Sequence, residues 1–164
     1  MKKILLAALA LIGTYSATAQ QTINGVNVEK SITVEGQELE LNGAGLREKL
    51  WFDLYVGALY VTTRSSDGNT LVAANMPMAI TLDITDEAVT QEKMKSSVED
   101  GFGDSCTSKQ QKAIQSEINT FIGFFKDAIV KGDHFEIAYL PAKGTLVSKN
   151  GTALGTITGL KFKK

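Results

Sequence analysis

The chain has 164 residues, of which 43% are hydrophobic, and a formal net charge of −1 at pH 7. A near-neutral, slightly acidic chain lacks the basic surface of general nucleic-acid binders, so we expect no nucleic-acid partner. The length is enough for one domain with a substantial core.

The first 19 residues have the features of a secretory signal peptide. Lys2 and Lys3 form a basic start, residues 4–12 form an apolar segment, and Ala17-Thr18-Ala19 is a small-residue cleavage site. The apolar segment is shorter than the roughly 20 residues that cross a bilayer, so we expect no stable membrane span. A buried N-terminal helix is the alternative interpretation.

We therefore expect a mature chain that begins at Gln20 or Gln21 and folds as a single domain over residues 20–164. Cleavage would lower the formal charge from −1 to −3, because the leader carries two lysines and no acidic residue. The expected location is periplasmic or secreted.

The first half of the mature chain reads as sheet. Short strands are predicted over residues 26–28, 32–34 and 38–41, followed by a long strand over 50–61 and another over 79–84. Residues 65–69 are predicted to be a loop. The even positions of the long strand are apolar and the odd ones are mixed, which predicts a strand that is covered on both faces.

The middle of the chain is predicted to be helical. A first helix over about residues 89–102 follows from the four-residue spacing of Met94, Val98 and Phe102. A second helix is predicted to begin with a Ser108–Gln111 capping box and to stop at Gly132. Its apolar stripe is Ile114, Ile118, Phe121, Ile122, Phe125 and Ile129.

The last third returns to sheet. Phe135, Ile137 and Tyr139 alternate with other residues as in a strand, residues 141–144 form a turn, and Asn150-Gly151 is a strong hairpin signal. Strands, then helices, then strands predict an α+β fold.

Neither the single cysteine nor the single histidine indicates a catalytic or metal site. Cys106 excludes an internal disulfide and has no neighbour in sequence that would lower its pKa, so a small residue at a helix boundary is the plainest interpretation. A reactive thiol or a covalent dimer is the alternative. His134 is expected at a strand start, as a surface or turn residue. We predict no metal and no cofactor.

Arg47 is the strongest candidate for a functional residue. It follows the glycine-rich segment 42–46, which is predicted to bend or bulge and to aim the arginine. A charge that enters an apolar run needs an anionic partner, and guanidinium suits a carboxylate or enolate oxygen. Tyr55 would share a face with Arg47 in one continuous strand, whereas a turn at Glu48-Lys49 removes that argument. The alternative is a surface arginine paired with Glu48 or another acid.

The pattern Gly43-Ala44-Gly45-x-Arg47, then an apolar strand ending in Gly57-x-Leu59-Tyr60, resembles the chalcone isomerase-like family, including its exported bacterial members. That family contains enzymes that close chalcones into flavanones and relatives that bind fatty acids. The resemblance implies an open-faced β-sandwich, in which a large antiparallel sheet has helices layered on one face and a ligand cleft lies between them.

The resemblance also separates the functional alternatives. Arg47 matches the arginine that stabilises the oxyanion in the enzymes, but Tyr55 falls where they have a threonine, and their helical tyrosine and asparagine have no counterpart. Near residues 93–100 this chain offers Lys93, Glu99 and Asp100 instead. Relatives usually continue past the position of Phe162 into a further helix; either the chain is truncated before that helix or this member lacks it, and the sequence leaves both alternatives open.

We therefore expect an exported protein that binds a small amphipathic anion such as a fatty acid, with the carboxylate held by Arg47 and Tyr55. A cluster of Phe121, Phe124 and Phe125 is predicted to hold the tail. The enzyme alternative is an isomerase or intramolecular lyase that acts on an enone, with Arg47 stabilising the oxyanion. A third alternative is an accessory protein whose surface binds a protein partner.

Overall fold

The computed structural model describes residues 21–164, so the predicted signal peptide lies outside the described residues. Within them the chain forms nine strands and five helices. The strands are β1 (Gln21–Ile23), β2 (Val26–Val28), β3 (Ser31–Val34), β4 (Gln37–Lys49), β5 (Phe52–Val61), β6 (Met78–Ile84), β7 (His134–Leu140), β8 (Gly144–Lys149) and β9 (Thr152–Ile157). The helices are α1 (Gly68–Ala73), α2 (Gln91–Ser105), α3 (Ser108–Ala113), α4 (Gln115–Phe124) and α5 (Leu160–Lys163).

Strands β3 to β9 form one seven-stranded antiparallel sheet whose spatial order follows the chain order, and β1 and β2 form a separate hairpin. Every connection is therefore between neighbours, as in a meander. The helices are inserted between β5 and β6, between β6 and β7, and after β9. This is the α+β arrangement that the sequence predicts, with a large antiparallel sheet and helices on one face.

Both faces of the sheet are covered. On one face α2 and α4 contribute to an apolar cluster with sheet residues: Ile84, Val89, Met94, Phe121, Phe125, Ile129, Phe135, Val147 and Ile157. On the other face β2 and β3 close over a second cluster: Val28, Val34, Leu39, Val56, Ala58, Tyr60, Ala79 and Ala138. Strand β5 contacts both clusters, so the expectation that it is covered on both sides is confirmed.

A bulge in β5 changes which of its residues face the helices. The pairing with β4 shifts between Arg47, which lies opposite Tyr55, and Glu48, which lies opposite Asp53, so Leu54 has no partner in β4. An extra residue moves the following side chains to the other face. Leu54 and Tyr55 therefore both pack against the helix-side cluster. The strict even–odd alternation predicted for residues 50–61 is wrong at this point.

The second predicted helix is two shorter ones. The capping box is formed by Thr107 and Gln110, one residue before the predicted pair, and α3 ends at Ala113. Ile114 has φ −130° and ψ 19°, which interrupts the helix, and α4 ends at Phe124. Ile114 and Ile129 are buried although neither is helical. The spacing of apolar residues correctly indicates that Ile114 and Ile129 are buried, but it does not indicate where the helix breaks.

The first helix and the hairpin signals agree with the structure more closely. α2 begins after an N-cap at Thr90, whose hydroxyl accepts a hydrogen bond from the Lys93 amide. Asn150 and Gly151 both have positive φ, 50° and 76°, as a two-residue turn of this type requires. Asp67 caps α1, so a helix begins inside the segment that was predicted to be a loop. None of the helices in residues 21–164 combines the length and the apolar composition that a bilayer crossing requires.

A buried ion pair fastens the segment before β7 to the β8–β9 turn. The Asp133 carboxylate, only 7% exposed, lies 2.7 Å from the Lys149 ammonium. It also accepts hydrogen bonds from the Val130 amide and from the Asn150 side chain. Burial would raise the pKa of Asp133, but these donors together hold it below its usual value. The carboxylate therefore stays charged and fixes the position of the segment that follows α4.

Candidate functional site

The β4–β5 hairpin brings the two predicted ligand-binding residues together. Arg47 in β4 is directly opposite Tyr55 in β5, and the turn that joins the strands is Leu50-Trp51. Directly opposite residues in an antiparallel pair point to the same face. The turn does not fall at Glu48-Lys49, and the two side chains share a face because they are cross-strand neighbours.

Arg47 is solvent-exposed, whereas Tyr55 is half-buried. Within residues 21–164 the Arg47 guanidinium makes no hydrogen bond and no ion pair, so the predicted alternative of a pair with Glu48 is wrong for this structure. A guanidinium has five N–H donors in a fixed planar fork. All of them are available to a ligand.

Arg47 and Tyr55 line a cleft of about 630 Å³ between the β4–β5 hairpin and α2. This volume is within the usual range for small-molecule sites. Charged side chains at the cleft are Arg47, Lys49, Lys93 and Asp100. The apolar lining consists of Leu50, Phe52, Leu54, Leu82, Ala88, Val89, Met94 and Val98.

The wall contributed by α2 was only partly visible in the sequence. The spacing of Met94 and Val98 predicted an apolar helix face, and both residues line the cleft. Lys93 was singled out only as a departure from the enzymes; its ammonium donates to the Ala88 carbonyl at 2.9 Å and it also lines the cleft. Leu54 lines the cleft because the bulge turns its side chain to that face. No glycine or other turn-forming residue marks this bulge in the sequence.

The glycine-rich segment places no side chains on the sheet surface at Gly43 and Gly45, next to Arg47. Gly45 lies opposite Gly57, and a Cβ atom placed on Gly43 or on Gly45 would meet nothing within 4 Å. A bulge does occur in this segment, at Asn42, but neither Gly43 nor Gly45 has a positive φ. The glycines therefore provide open space on the sheet next to Arg47.

The phenylalanine cluster predicted to hold a ligand tail lies elsewhere. Phe121, Phe124 and Phe125 do not line the Arg47 cleft, since Phe121 and Phe125 are core residues and Phe124 packs on Gly155. Phe121 instead borders a second groove of about 660 Å³ between α2, α3 and α5. That second groove is also lined by Phe102, Phe162, Cys106, Lys109, Lys161 and Lys164.

Neither Cys106 nor His134 belongs to a group of metal-ligating side chains within residues 21–164. Cys106 is a half-buried free thiol at the C-cap of α2, which agrees with the boundary position expected for it. In the part of the chain that the structure describes, no three His, Cys, Asp or Glu side chains are grouped to hold a metal ion.

His134 pairs with an acid on the sheet. It is the first residue of β7, and its Nδ1 atom lies 2.7 Å from the Asp83 carboxylate in β6. The hydrogen bond with Asp83 raises the pKa of His134 above its usual 6.5, while burial opposes the shift. The two side chains are 42% and 30% exposed, so solvent weakens this pair.

This pair predicts a pH dependence of stability. A raised folded-state pKa stabilises the protein below the unfolded pKa, and this contribution is lost as the pH rises through the folded pKa. Thermal unfolding should therefore show that His134→Gln lowers Tm more at about pH 5.5 than at about pH 9. An equal loss of Tm at both values would mean that the positive charge on His134 does not contribute to stability.

Comparisons with known proteins agree with the fold. A family model described as chalcone isomerase-like matches residues 20–164. The crystal structure of a fatty-acid binding protein from Arabidopsis thaliana superposes with a TM-score of 0.69 at 16% identity, covering 88% of this chain and 84% of the other. No curated protein sequence matches this one. At this identity the structural likeness establishes the fold.

Proposed function

Because the chain belongs to the chalcone isomerase-like family, we propose that it binds a small amphipathic anion, such as a fatty acid, in the Arg47 cleft. The observation that carries this proposal is an exposed arginine without an internal partner, opposite a tyrosine, at a cleft with mostly apolar walls. The similar structure from Arabidopsis thaliana is that of a fatty-acid binding protein, which supports the same class of ligand.

The chemistry of the cleft suits a carboxylate attached to an apolar tail. The Arg47 guanidinium provides bidentate donors for the carboxylate, and the Tyr55 hydroxyl is a further donor on the same face. Lys49 and Lys93 add positive charge, against the single acid Asp100. The tail would lie along the apolar residues contributed by β5 and α2, such as Leu54, Met94 and Val98.

Binding is preferred to catalysis because the cleft offers one matched catalytic group. Of the arginine, threonine, tyrosine and asparagine of the enzymes, only the arginine has an equivalent in this chain, Arg47. The helix facing it presents Lys93, Ser97 and Asp100 in place of a tyrosine and an asparagine. One oxyanion donor contributes on the order of 10²–10³ in rate, which is far from a complete site.

Calorimetric titration of the purified protein tests the proposal. Dodecanoate should bind with a saturable heat, whereas dodecanol should bind much more weakly, because the alcohol has no charge to pair with Arg47. Equal affinity for the acid and the alcohol would contradict an anion site. The absence of saturable binding for fatty acids of any chain length would contradict the proposed function.

We further propose that the protein is exported and that its leader is removed. The support is the sequence of residues 1–19, with its basic start, apolar segment and Ala17-Thr18-Ala19 site. N-terminal sequencing of the mature protein should give Gln20 or Gln21 as the first residue. Recovery of a mature pool that begins at Met1 would contradict export by this route.

A further inference from the structure

The turn between β4 and β5 presents apolar side chains to solvent. Trp51 is 92% exposed and Leu50 is 81% exposed, which makes them the two most exposed large hydrophobic residues among positions 21–164. Phe52, the next residue, is 44% exposed. We call residues 50–52 the hairpin tip. Isolated apolar side chains are common on protein surfaces, but three in succession at a turn are a contiguous patch.

The geometry of the turn does not account for these residues. Leu50 has φ +57°, in a two-residue loop whose first position favours glycine. A non-glycine residue in this conformation costs on the order of 1–3 kcal/mol. The chain therefore keeps a leucine where glycine would be less strained, and the leucine contributes little to the core because it is exposed.

The hairpin tip is continuous with the ligand cleft. Leu50 and Phe52 line the cleft that contains Arg47, whereas Trp51 is not part of its lining. A ligand that enters or leaves past the hairpin would thus pass along the apolar tip.

Charge near the tip is divided between the two faces of the hairpin. Arg47 and Lys49 lie on the cleft face. Glu48 and Asp53 are paired opposite each other and, by strand alternation, lie on the other face. The cleft side of the tip is therefore positively charged, which complements the phosphates of anionic lipids.

We propose that the hairpin tip inserts into the headgroup region of a lipid bilayer, so that the cleft opens onto the surface that contains its ligand. Tryptophan favours the membrane–water interface because its ring is apolar and its N–H can donate a hydrogen bond. Lys49, on the cleft face next to the tip, contacts lipid phosphates and leaves Arg47 for the ligand, while Leu50 and Phe52 contact the acyl boundary. This inference rests on the proposed function, since it identifies the membrane as the source of the amphipathic anion.

The chain provides its own probe, because Trp51 is the only tryptophan. Its fluorescence is measured in the purified protein with and without vesicles of phosphatidylethanolamine and phosphatidylglycerol, after the N-terminus has been sequenced. That check is needed because residues 4–12 would themselves bind lipid if the leader were retained. The emission should shift to shorter wavelength, and the protein should sediment with the vesicles.

Two variants separate the tip from other apolar surface. Trp51→Ser should weaken sedimentation with vesicles about tenfold or more, because a large apolar side chain is lost from the contact. Val130→Ser, at a position that is 56% exposed in the loop before β7, should leave it unchanged. Both variants should bind dodecanoate from solution like the wild type, since neither residue lines the cleft.

The outcomes distinguish this inference from the function on which it rests. Unchanged emission and no sedimentation, together with normal dodecanoate binding, would overturn membrane docking and leave the proposed function intact. Equal sedimentation of Trp51→Ser and wild type would also overturn it. Vesicle binding that depends on Trp51 without any dodecanoate binding would support docking and contradict the proposed ligand.

Discussion

Gly144→Ala is expected to destabilise the protein by about 4 kcal/mol. Gly144 begins β8 with φ +97°, a conformation that costs an L-residue about 1–3 kcal/mol. A Cβ atom there would also press on the Ile157 carbonyl and come within 2.8 Å of the Thr158 Cα atom. Overpacking against backbone adds about 1–3 kcal/mol, since β9 cannot rotate away as a side chain would. Urea denaturation gives the free energy of unfolding directly.

Gly132→Ala is the matched control for this prediction. Gly132 has a similar φ of +93°, but a Cβ atom at this position would meet nothing within 4 Å. The Gly132→Ala variant should lose only the free energy that a positive φ costs an L-residue, about 1–3 kcal/mol. If the two variants lose equal stability, the close approach of β8 and β9 at Gly144 is not what requires the glycine.

Arg47→Ala is expected to weaken fatty-acid binding about 10- to 150-fold. A hydrogen bond to a charged group contributes about 1.5–3 kcal/mol, which corresponds to this range. A larger loss of affinity is not expected, because it would require a site that is closed to water and Arg47 is solvent-exposed. The free energy of unfolding should change by no more than about 0.5 kcal/mol, as for other surface positions. Calorimetric titration of dodecanoate and urea denaturation measure the two effects.

Three further variants show whether the arginine acts as proposed. Arg47→Lys should recover part of the affinity, because an ammonium keeps the charge but loses the bidentate geometry. Tyr55→Phe should cost less than Arg47→Ala, since it removes one hydrogen bond and leaves the guanidinium charge and its bidentate donors in place. Lys161→Ala, in the second groove, should bind like the wild type. Unchanged affinity in Arg47→Ala would rule out the carboxylate contact.

Much of the fold could be predicted because its signals are local. The alternation in β7, the Asn150-Gly151 turn and the stripe of α2 each depend on residues close in sequence. The break in the helix at Ile114 could not be predicted from such local signals. Ile114 continues the apolar spacing and is buried, so periodicity is satisfied whether or not the helix is continuous.

The candidate site was predictable in its residues and not in its shape. Arg47 and Tyr55 could be selected from charge, hydroxyl chemistry and the glycines before them. Their pairing depends on a turn at Leu50-Trp51, which contains no glycine, asparagine or proline to mark it. The apolar wall joins the bulge at Leu54 to a helix forty residues later in the chain, at Met94, and only the folded structure brings them together.

The central claim is that the anion binds between the β4–β5 hairpin and α2, with its carboxylate on Arg47. A crystal structure of the complex with a fatty acid that carries a terminal bromine tests it most directly, because anomalous scattering locates the end of the tail. The carboxylate should lie within hydrogen-bond distance of Arg47 and Tyr55, and the bromine should lie beside the apolar wall that includes Leu54 and Met94. Bromine in the second groove, beside Phe102 and Phe162 with the carboxylate near Lys161, would contradict it.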